Sequence, residues 1–363
     1  AQVELQADRA LRHTLVAAQK PRMERVEMAR RLARWLMNAT PTASSLQTAV
    51  AWQSDQGAFV DWARFRLLGG DELPDLSQAY SACREAVIAR RNAFAKPFAQ
   101  ALVQWNAQKP APEGRIIPLE SVLEHVLAPI AAAHPTLLLV MDGLSTSIFR
   151  ELFARIASQG WAEMVPSSLG QPLAGVAALP TITEVSRASL LCGRLTVGAS
   201  AQEKTGFATN AALLAHSRAD APPRLFHKGD LADATNLAPE VRAAIASTQQ
   251  RVVGVVYNAV DDHLSGPDQL HQRWALEDLR LLLPLLREAR EARRVVVITA
   301  DHGHLLEDGT TQLPGGESDR WRPGKNAETP NELAVNGGRV VTSDGSNAVV
   351  CLWGESTRYA GRK

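Results

Sequence analysis

TLLLVMDG, at residues 136–143, is a short apolar run that ends in an aspartate and a glycine. Such a run is typical of a strand that is buried on both faces of a parallel sheet. Two later segments have the same character, at residues 251–257 and 294–300. Helix-like segments at about 147–159 and 269–290 separate the three runs. Strands that alternate with helices predict an α/β domain with a mostly parallel sheet.

The residues before this predicted sheet are typical of helices. From Ala1 to about His134 the apolar residues recur at helical spacing, and Pro97 predicts a kink in a long helix. One helix carries a basic face, formed by Arg22, Arg25, Arg30, Arg31 and Arg34. This face either contacts DNA or a partner, or is an ordinary solvated helix face, and the second outcome is the commoner one. We therefore divide the chain into a helical domain, 1–134, and a core, 135–363.

The composition excludes several classes of protein. The formal net charge is +1, which is too small for the chain as a whole to attract nucleic acid electrostatically. Cys83, Cys192 and Cys351 are far apart in the sequence, which argues against a disulfide framework and favours a reducing cytoplasm. We expect no signal peptide and no membrane partner, because no apolar run approaches the roughly 20 residues that a span requires.

Each of the three predicted strands ends in polar residues. Asp142-Gly143 follows the first strand, Asp261-Asp262-His263 the second, and Asp301-His302-Gly303-His304 the third. The carboxyl ends of parallel strands share one edge of a sheet, where ligands bind. Crowded carboxylates raise one another's pKa, and divalent cations such as zinc or manganese relieve that repulsion. One such aspartate is usually a turn or cap residue, but three in register predict a metal site.

A fourth segment, LPTITEVSRASLLCG at residues 179–193, predicts a loop that enters a helix. Thr181 or Thr183 then lies at a helix N-terminus, where backbone N–H groups favour an anion. A threonine activated by a metal is a nucleophile. Without its context the segment favours a plainer interpretation, in which either threonine is an N-cap and Glu184 is an ordinary first-turn acid.

Together these motifs resemble the alkaline-phosphatase superfamily, and specifically its PglZ branch. The motifs are LLLVMDGLS, LPTITEVSRASLLCG, NAVDDHLSGPDQL and VVITADHGHLLEDG, and they occur in the family's order. The resemblance runs from about Thr136 to the C-terminus and is closest to the long PglZ proteins of BREX-type phage defence. It implies an alkaline-phosphatase-like, mostly parallel sheet flanked by helices and preceded by an all-α helical domain.

The resemblance also implies roles for residues around two divalent metal ions, with zinc as the first choice and manganese or magnesium as alternatives. Asp142 would ligate one ion together with Asp301 and His302. Thr183 would be the nucleophile and would bridge or face the ions. Arg187 would contact phosphate, or would instead form a salt bridge with a neighbouring acid.

The second ion is where the sequence departs from the superfamily. Asp261 would serve this ion, but Ser265 stands four residues later, where the superfamily often has histidine. His263 or Asp262 would then complete the ligand set. The superfamily also expects a late histidine, and none follows His304. Either His304 replaces it or the ligand belongs to a GYHGG-like segment beyond the sequence, so we expect a core that is incomplete at its C-terminus.

The resemblance implies a metal-dependent phosphohydrolase or phosphodiesterase that acts on a phosphoester or nucleotide, with DNA and other BREX proteins as candidate partners. The alternative is a catalytically degenerate metal-binding scaffold that assembles such partners. A sulfatase or phosphomutase is disfavoured, since Cys192-Gly193-Arg194 lacks the C/S-x-P-x-R spacing.

His227 and Lys228 either line the substrate pocket or belong to a connecting loop. Residues 307–338 predict a long irregular insertion that could act as a substrate lid.

Overall fold

The structure is a computed structural model of the chain. It describes residues 2–13, 19–39, 42–108, 111–233, 236–264, 274, 276–305 and 309–361. Contacts divide the described residues into two compact units, one extending to Ala101 and the other beginning at Leu102. The boundary that the sequence places at residue 134 stays a prediction.

The first unit is helical. Its helices are α1 (Gln2–Leu11), α2 (Lys20–Met37), α3 (Leu46–Trp52), α4 (Ala58–Arg66) and most of α5 (Pro74–Ala107), whose residues from Leu102 on belong to the second unit. A π-type turn, Gln53–Gly57, joins α3 to α4. Its core is formed by large apolar residues of α2, α4 and α5, among them Leu32, Val60 and Val87. Pro97 lies inside α5, as the sequence predicted.

The basic face of α2 forms ion pairs within the first unit. Arg22 lies 2.5 Å from a carboxylate oxygen of Asp71. Arg30 contacts Asp8 at 2.7 Å, and Arg31 contacts Glu27 of its own helix at 2.9 Å. Neighbouring carboxylates therefore offset much of the positive charge of this face, and a contact between it and DNA or a partner stays a prediction.

The second unit is mixed. Its strands are β1 (Ile116–Pro118), β2 (Thr136–Met141), β3 (Ala174–Val176), β4 (Arg224–Phe226), β5 (Ala232–Asp233), β6 (Asn236–Leu237), β7 (Val252–Tyr257), β8 (Val295–Thr299), β9 (Thr311–Gly316), β10 (Trp321–Pro323), β11 (Glu332–Asn336), β12 (Ala348–Leu352) and β13 (Thr357–Gly361). Its further helices are α6 (Ala128–Ala133), α7 (Thr146–Ser158), α8 (Ala188–Cys192), α9 (Ser200–Ala208), α10 (Ala211–Leu214), α11 (Lys228–Leu231), α12 (Pro239–Ala246), α13 (Ala259–Leu264) and α14 (Leu282–Glu291). None of the described helices has the length and apolar character that crossing a bilayer requires.

The central sheet has four parallel strands in the order β4-β7-β2-β8. In β2, Leu137, Leu139 and Met141 pack into one hydrophobic cluster. The alternate residues, Leu138 and Val140, pack into a second cluster on the other face. Since helices cover both faces, every residue of β2 is buried. This arrangement confirms the predicted parallel sheet and the predicted fold class.

Two predictions for the second unit were wrong. The region before residue 134 is not helical throughout, since β1 pairs in parallel with β3. Pro118 cannot donate a helical hydrogen bond, and the β-branched Ile116 and Ile117 favour a strand. Residues 307–338 are not an irregular insertion either, because they contain β9, β10 and β11. The partners of these strands, β12 and β13, come later in the chain, so local composition did not indicate that residues 307–338 contain strands.

The predicted helix at 269–290 is confirmed only from Leu282, where α14 begins. Residues 265–273 and 275 lie outside the described part of the chain. The predicted helix at 147–159 corresponds to α7, and the predicted strands at 251–257 and 294–300 correspond to β7 and β8.

Candidate metal centre

Asp142 lies in the turn that follows β2. Its backbone N–H donates to the carbonyl of Tyr257, 3.1 Å away, so it still belongs to the sheet ladder. Gly143 then turns the chain with φ of 72°, a left-handed conformation that favours glycine. Leu144 closes the turn by donating to the carbonyl of Met141. The carboxylate is therefore held at the carboxyl edge of the sheet, and it is buried.

The two oxygens of the Asp142 carboxylate have different surroundings. Oδ2 accepts hydrogen bonds from Nη1 of Arg187 and Nδ2 of Asn258, each at 2.8 Å. Oδ1 is buried and accepts no hydrogen bond from the described residues. Nε2 of His302 lies 3.4 Å from Oδ1. One oxygen is thus fixed by protein donors and the other faces the imidazole.

Asp301 and His302 follow β8 at the same edge. Oδ1 of Asp301 accepts from the backbone N–H of His302 at 3.0 Å and of Gly143 at 3.4 Å. Its Oδ2 is buried without a hydrogen bond from the described residues and lies 3.6 Å from Nε2 of His302. Nδ1 of His302 must carry a proton, because its partner is the carbonyl oxygen of Gly303, 2.9 Å away. This contact leaves the lone pair of a neutral imidazole on Nε2, which faces the two carboxylates.

The residues present fit a divalent cation. The ligand atoms of Asp142, Asp301 and His302 all lie within 4.8 Å of one another. Burial raises the pKa of Asp301 to about 7, and the charge of Asp142 acts in the same direction. Buried carboxylate oxygens without donors are costly, and an ion shared by all three side chains would satisfy them. This Asp/His donor set suits zinc or manganese.

Thr183 opens a helical stretch that continues from the turn Thr183–Arg187 into α8. Ile182 occupies the N-cap position, so Thr183 is the first helical residue rather than the cap. Its Oγ1 lies 3.3 Å from Nε2 of His302. The structure therefore brings the predicted nucleophile to the predicted metal ligand.

Hydrogen bonds on both sides of Thr183 hold this segment in place. Upstream, the N–H of Leu179 donates to the carbonyl of Arg339, and the N–H of Val341 donates to the carbonyl of Leu179. Downstream, the hydroxyl of Ser186 donates to the carbonyl of Asp301 at 2.5 Å. The loop that carries Thr183 is consequently attached to the end of β8 as well as to the later part of the chain.

Arg187 is buried and contacts two acids. Its Nη1 donates to Asp142, and its Nε donates to Glu203 at 3.1 Å. This is the salt-bridge arrangement that the sequence left open as an alternative. A direct contact between Arg187 and phosphate stays a prediction.

The other predicted ligands do not join this cluster among the described residues. Asp261 is beside Gly143, since a Cβ built on that glycine would lie 3.6 Å from the Cβ of Asp261. Partial burial and then the charge of Asp142 raise the pKa of Asp261. Asp262 is exposed and contacts Nζ of Lys228 at 2.7 Å.

His304 donates from Nδ1 to the carbonyl of Gly143 at 2.8 Å, and burial lowers its pKa. It thereby holds the turn that carries Asp142. The side chain of His263 lies outside the described part of the chain. The metal-binding roles of Asp261, Asp262 and His304 stay predictions.

Sequence reasoning missed residues that contact the site. Asn258 is the first residue after β7, so the strand-end rule used for the aspartates would have found it. Ser186 and Glu203 had no local signal, because their partners are more than ten residues away in the chain. Only the folded arrangement of α8, α9 and the sheet brings them together.

A comparison with known protein families matches a region that contains the residues of this site. Residues 122–334 match the family described as the BREX system PglZ alkaline phosphatase-like domain. Among curated proteins, none matches the chain significantly. The match begins before β2 and ends within β11, so it contains Asp142, Thr183, Asp301 and His302. Since the matched residues make up more than half of the chain, the chain belongs to the PglZ family of alkaline phosphatase-like domains.

Proposed function

We propose that this domain is a metal-dependent phosphohydrolase with Thr183 as its nucleophile. The observation that supports it is the meeting of three groups. Oγ1 of Thr183 lies 3.3 Å from Nε2 of His302, and the same nitrogen lies within 3.6 Å of carboxylate oxygens of Asp142 and Asp301. A hydroxyl next to a cation site is the arrangement that phosphoryl transfer through a covalent intermediate requires.

A bound divalent cation would neutralise phosphoryl oxygens and lower the pKa of the threonine hydroxyl. The residues of the chain would then carry out the transfer of the phosphoryl group. The Thr183 hydroxyl would pass its proton to solvent water as its oxygen attacks phosphorus and forms an O–P bond, and the bond to the leaving oxygen would break as that oxygen takes a proton from solvent. Water hydrolyses the resulting phosphothreonine and restores Thr183. Arg187 and Asn258 hold Asp142 in place throughout, through the bonds to Oδ2.

We further propose which metal and which substrate class the site takes. Zinc is the preferred metal, with manganese or magnesium as alternatives. A second ion would use Asp261, which lies beside Gly143, together with Asp262 or with His304, which donates to the carbonyl of Gly143. The substrate class is a phosphomonoester, phosphodiester or nucleotide, and DNA and other BREX proteins are the proposed partners.

Replacement of Thr183 tests the nucleophile. The Thr183→Ala variant should lower turnover of a nitrophenyl phosphate monoester or diester by at least about a thousandfold. Metal content should be unchanged, because the aspartate and histidine ligands remain. Thr181→Ala is the matched control, since Thr181 is an exposed threonine two residues earlier. Full turnover by the Thr183→Ala variant would refute the assignment.

A scaffold that binds metal without turnover is the second candidate. The ion pair between Asp262 and Lys228 favours it, because this carboxylate is held away from the role of a second ligand. Wild-type protein that binds one ion and hydrolyses neither nitrophenyl substrate would support the scaffold.

A further inference from the structure

A buried chain of polar side chains leads from Asp142 away from the metal cluster. Arg187 donates to Asp142 at 2.8 Å and to Glu203 at 3.1 Å. The other oxygen of Glu203 lies 2.6 Å from Nε2 of His227. Glu203 is 0% exposed, and Arg187 and His227 are each 8% exposed.

Three separate elements supply these residues. Arg187 ends the turn that begins at Thr183, Glu203 lies in α9, and His227 directly follows β4. Since a carboxylate oxygen only accepts, Nε2 of His227 must carry the proton in its contact with Glu203. A fully buried glutamate is costly unless it is paired, and an apolar residue would fill the same core position at lower cost. The network is therefore not explained by packing.

The charges suggest what Glu203 does. Arg187 is a permanent cation that touches a residue of the metal cluster. Alone beside Asp142, it would offset the negative charge of that carboxylate and repel a cation bound to the other oxygen. Glu203, which binds a different nitrogen of the guanidinium, offsets the positive charge of Arg187.

We propose that Glu203, held by His227, orients Arg187 and offsets its positive charge, so that Oδ1 of Asp142 stays in position for a divalent cation. Glu203 and His227 are thus positioning residues of the metal centre. The inference rests on the metal site of the proposed function, but not on Thr183 or on turnover.

The experiment is calorimetric titration of the metal-free full chain with Zn²⁺ alone and with Mn²⁺ alone. The Glu203→Gln variant keeps the side-chain volume and loses the charge, and its affinity should fall by about 10- to 100-fold. The double variant Arg187→Met/Glu203→Gln removes the uncompensated cation, so it should bind more tightly than Glu203→Gln. Glu332→Gln is the control, because Glu332 is also a buried glutamate paired with arginine, but it lies in β11 and not in the metal cluster.

If circular dichroism shows that Glu203→Gln does not fold, variants of His227 test the inference independently. His227→Ala should weaken metal binding, and His227→Gln should restore part of it, because a glutamine can donate to Glu203. Wild-type affinity in Glu203→Gln, or in His227→Ala, would overturn the inference. A double variant no tighter than Glu203→Gln would also overturn it. Absence of metal binding by the wild type would overturn both this inference and the proposed function.

Discussion

The hydroxyl oxygen of Thr183 lies 3.3 Å from Nε2 of His302, although 119 residues separate them in the sequence. Nε2 also faces buried carboxylate oxygens of Asp142 and Asp301. The loop that carries Thr183 and the end of β8 therefore meet at one point. An ion held by the two aspartates and the histidine would lie next to the hydroxyl.

Asp301 should oppose folding when no metal is bound. Its carboxylate is 1% exposed, and one of its oxygens has no donor among the described residues. Asp301→Asn should abolish metal binding, yet raise the melting temperature of the chelator-treated protein at pH 8. The expected gain is on the order of 1 kcal/mol or more, which corresponds to a few degrees. Asp233→Asn, at an exposed position, should change neither quantity, and a lower melting temperature for Asp301→Asn would contradict this account.

The raised pKa of Asp301 makes both stability and metal affinity depend on pH. Burial raises this pKa from 3.8 to about 7, so between these values the folded chain binds one more proton than the unfolded chain. The resulting stabilisation of the metal-free protein is full below about pH 4 and is lost as pH rises through about 7. Metal binding requires the ionised carboxylate, so affinity should rise as pH rises to about 7. Zn²⁺ titrations between about pH 5.5 and 8.5 should show this rise, and a flat profile would speak against it.

Lys228 should compete with a second ion for Asp262. Their side chains contact each other at 2.7 Å and are both exposed. Lys228→Met frees the carboxylate and removes a positive charge, so the second equivalent of Mn²⁺ or Zn²⁺ should bind more tightly. Lys204→Met is the control, because Lys204 forms a similar 2.7 Å pair with Asp230. Equal stoichiometry and affinity in both variants would argue for a single-ion site.

Arg294 should stabilise the fold without influencing the site. It is buried beside the amino-terminal end of the central sheet and donates to backbone carbonyls of Thr136, Ala244, Ile245, Ser247, Gln250 and Arg251. Arg294→Met leaves several buried acceptors without donors and should lower the free energy of unfolding by about 3 kcal/mol or more. Arg242→Met removes only a surface ion pair with Glu288 and should cost less than about 1 kcal/mol. Denaturant titration measures both, and equal losses would contradict this role.

The sequence predicted the parts of the fold that carry a local signal. An apolar run such as β2 indicates a buried parallel strand, and the residue after it lies at the ligand-binding edge. This reasoning places Asp142, Asp301 and His302 together, and the structure agrees. The same rule did not reach Asn258, because it was applied to acidic and imidazole residues only.

The rest of the architecture depends on partners that are distant in the chain. β9 pairs with β13, and β12 pairs with both β10 and β11, so residues 307–338 looked irregular when considered alone. Glu203 similarly acquires its contacts only when α9 packs beside β4 and the turn ending at Arg187. Periodicity describes which face of an element is buried, but not which charged group will lie opposite it.

Anomalous diffraction from crystals of the full chain grown with Zn²⁺ tests the central claim most directly. The account predicts a peak within about 2.0–2.3 Å of a carboxylate oxygen of Asp142, a carboxylate oxygen of Asp301 and Nε2 of His302, with Thr183 beside it. A peak bound by other residues, or full-length protein that takes up no ion at this edge of the sheet, would contradict it.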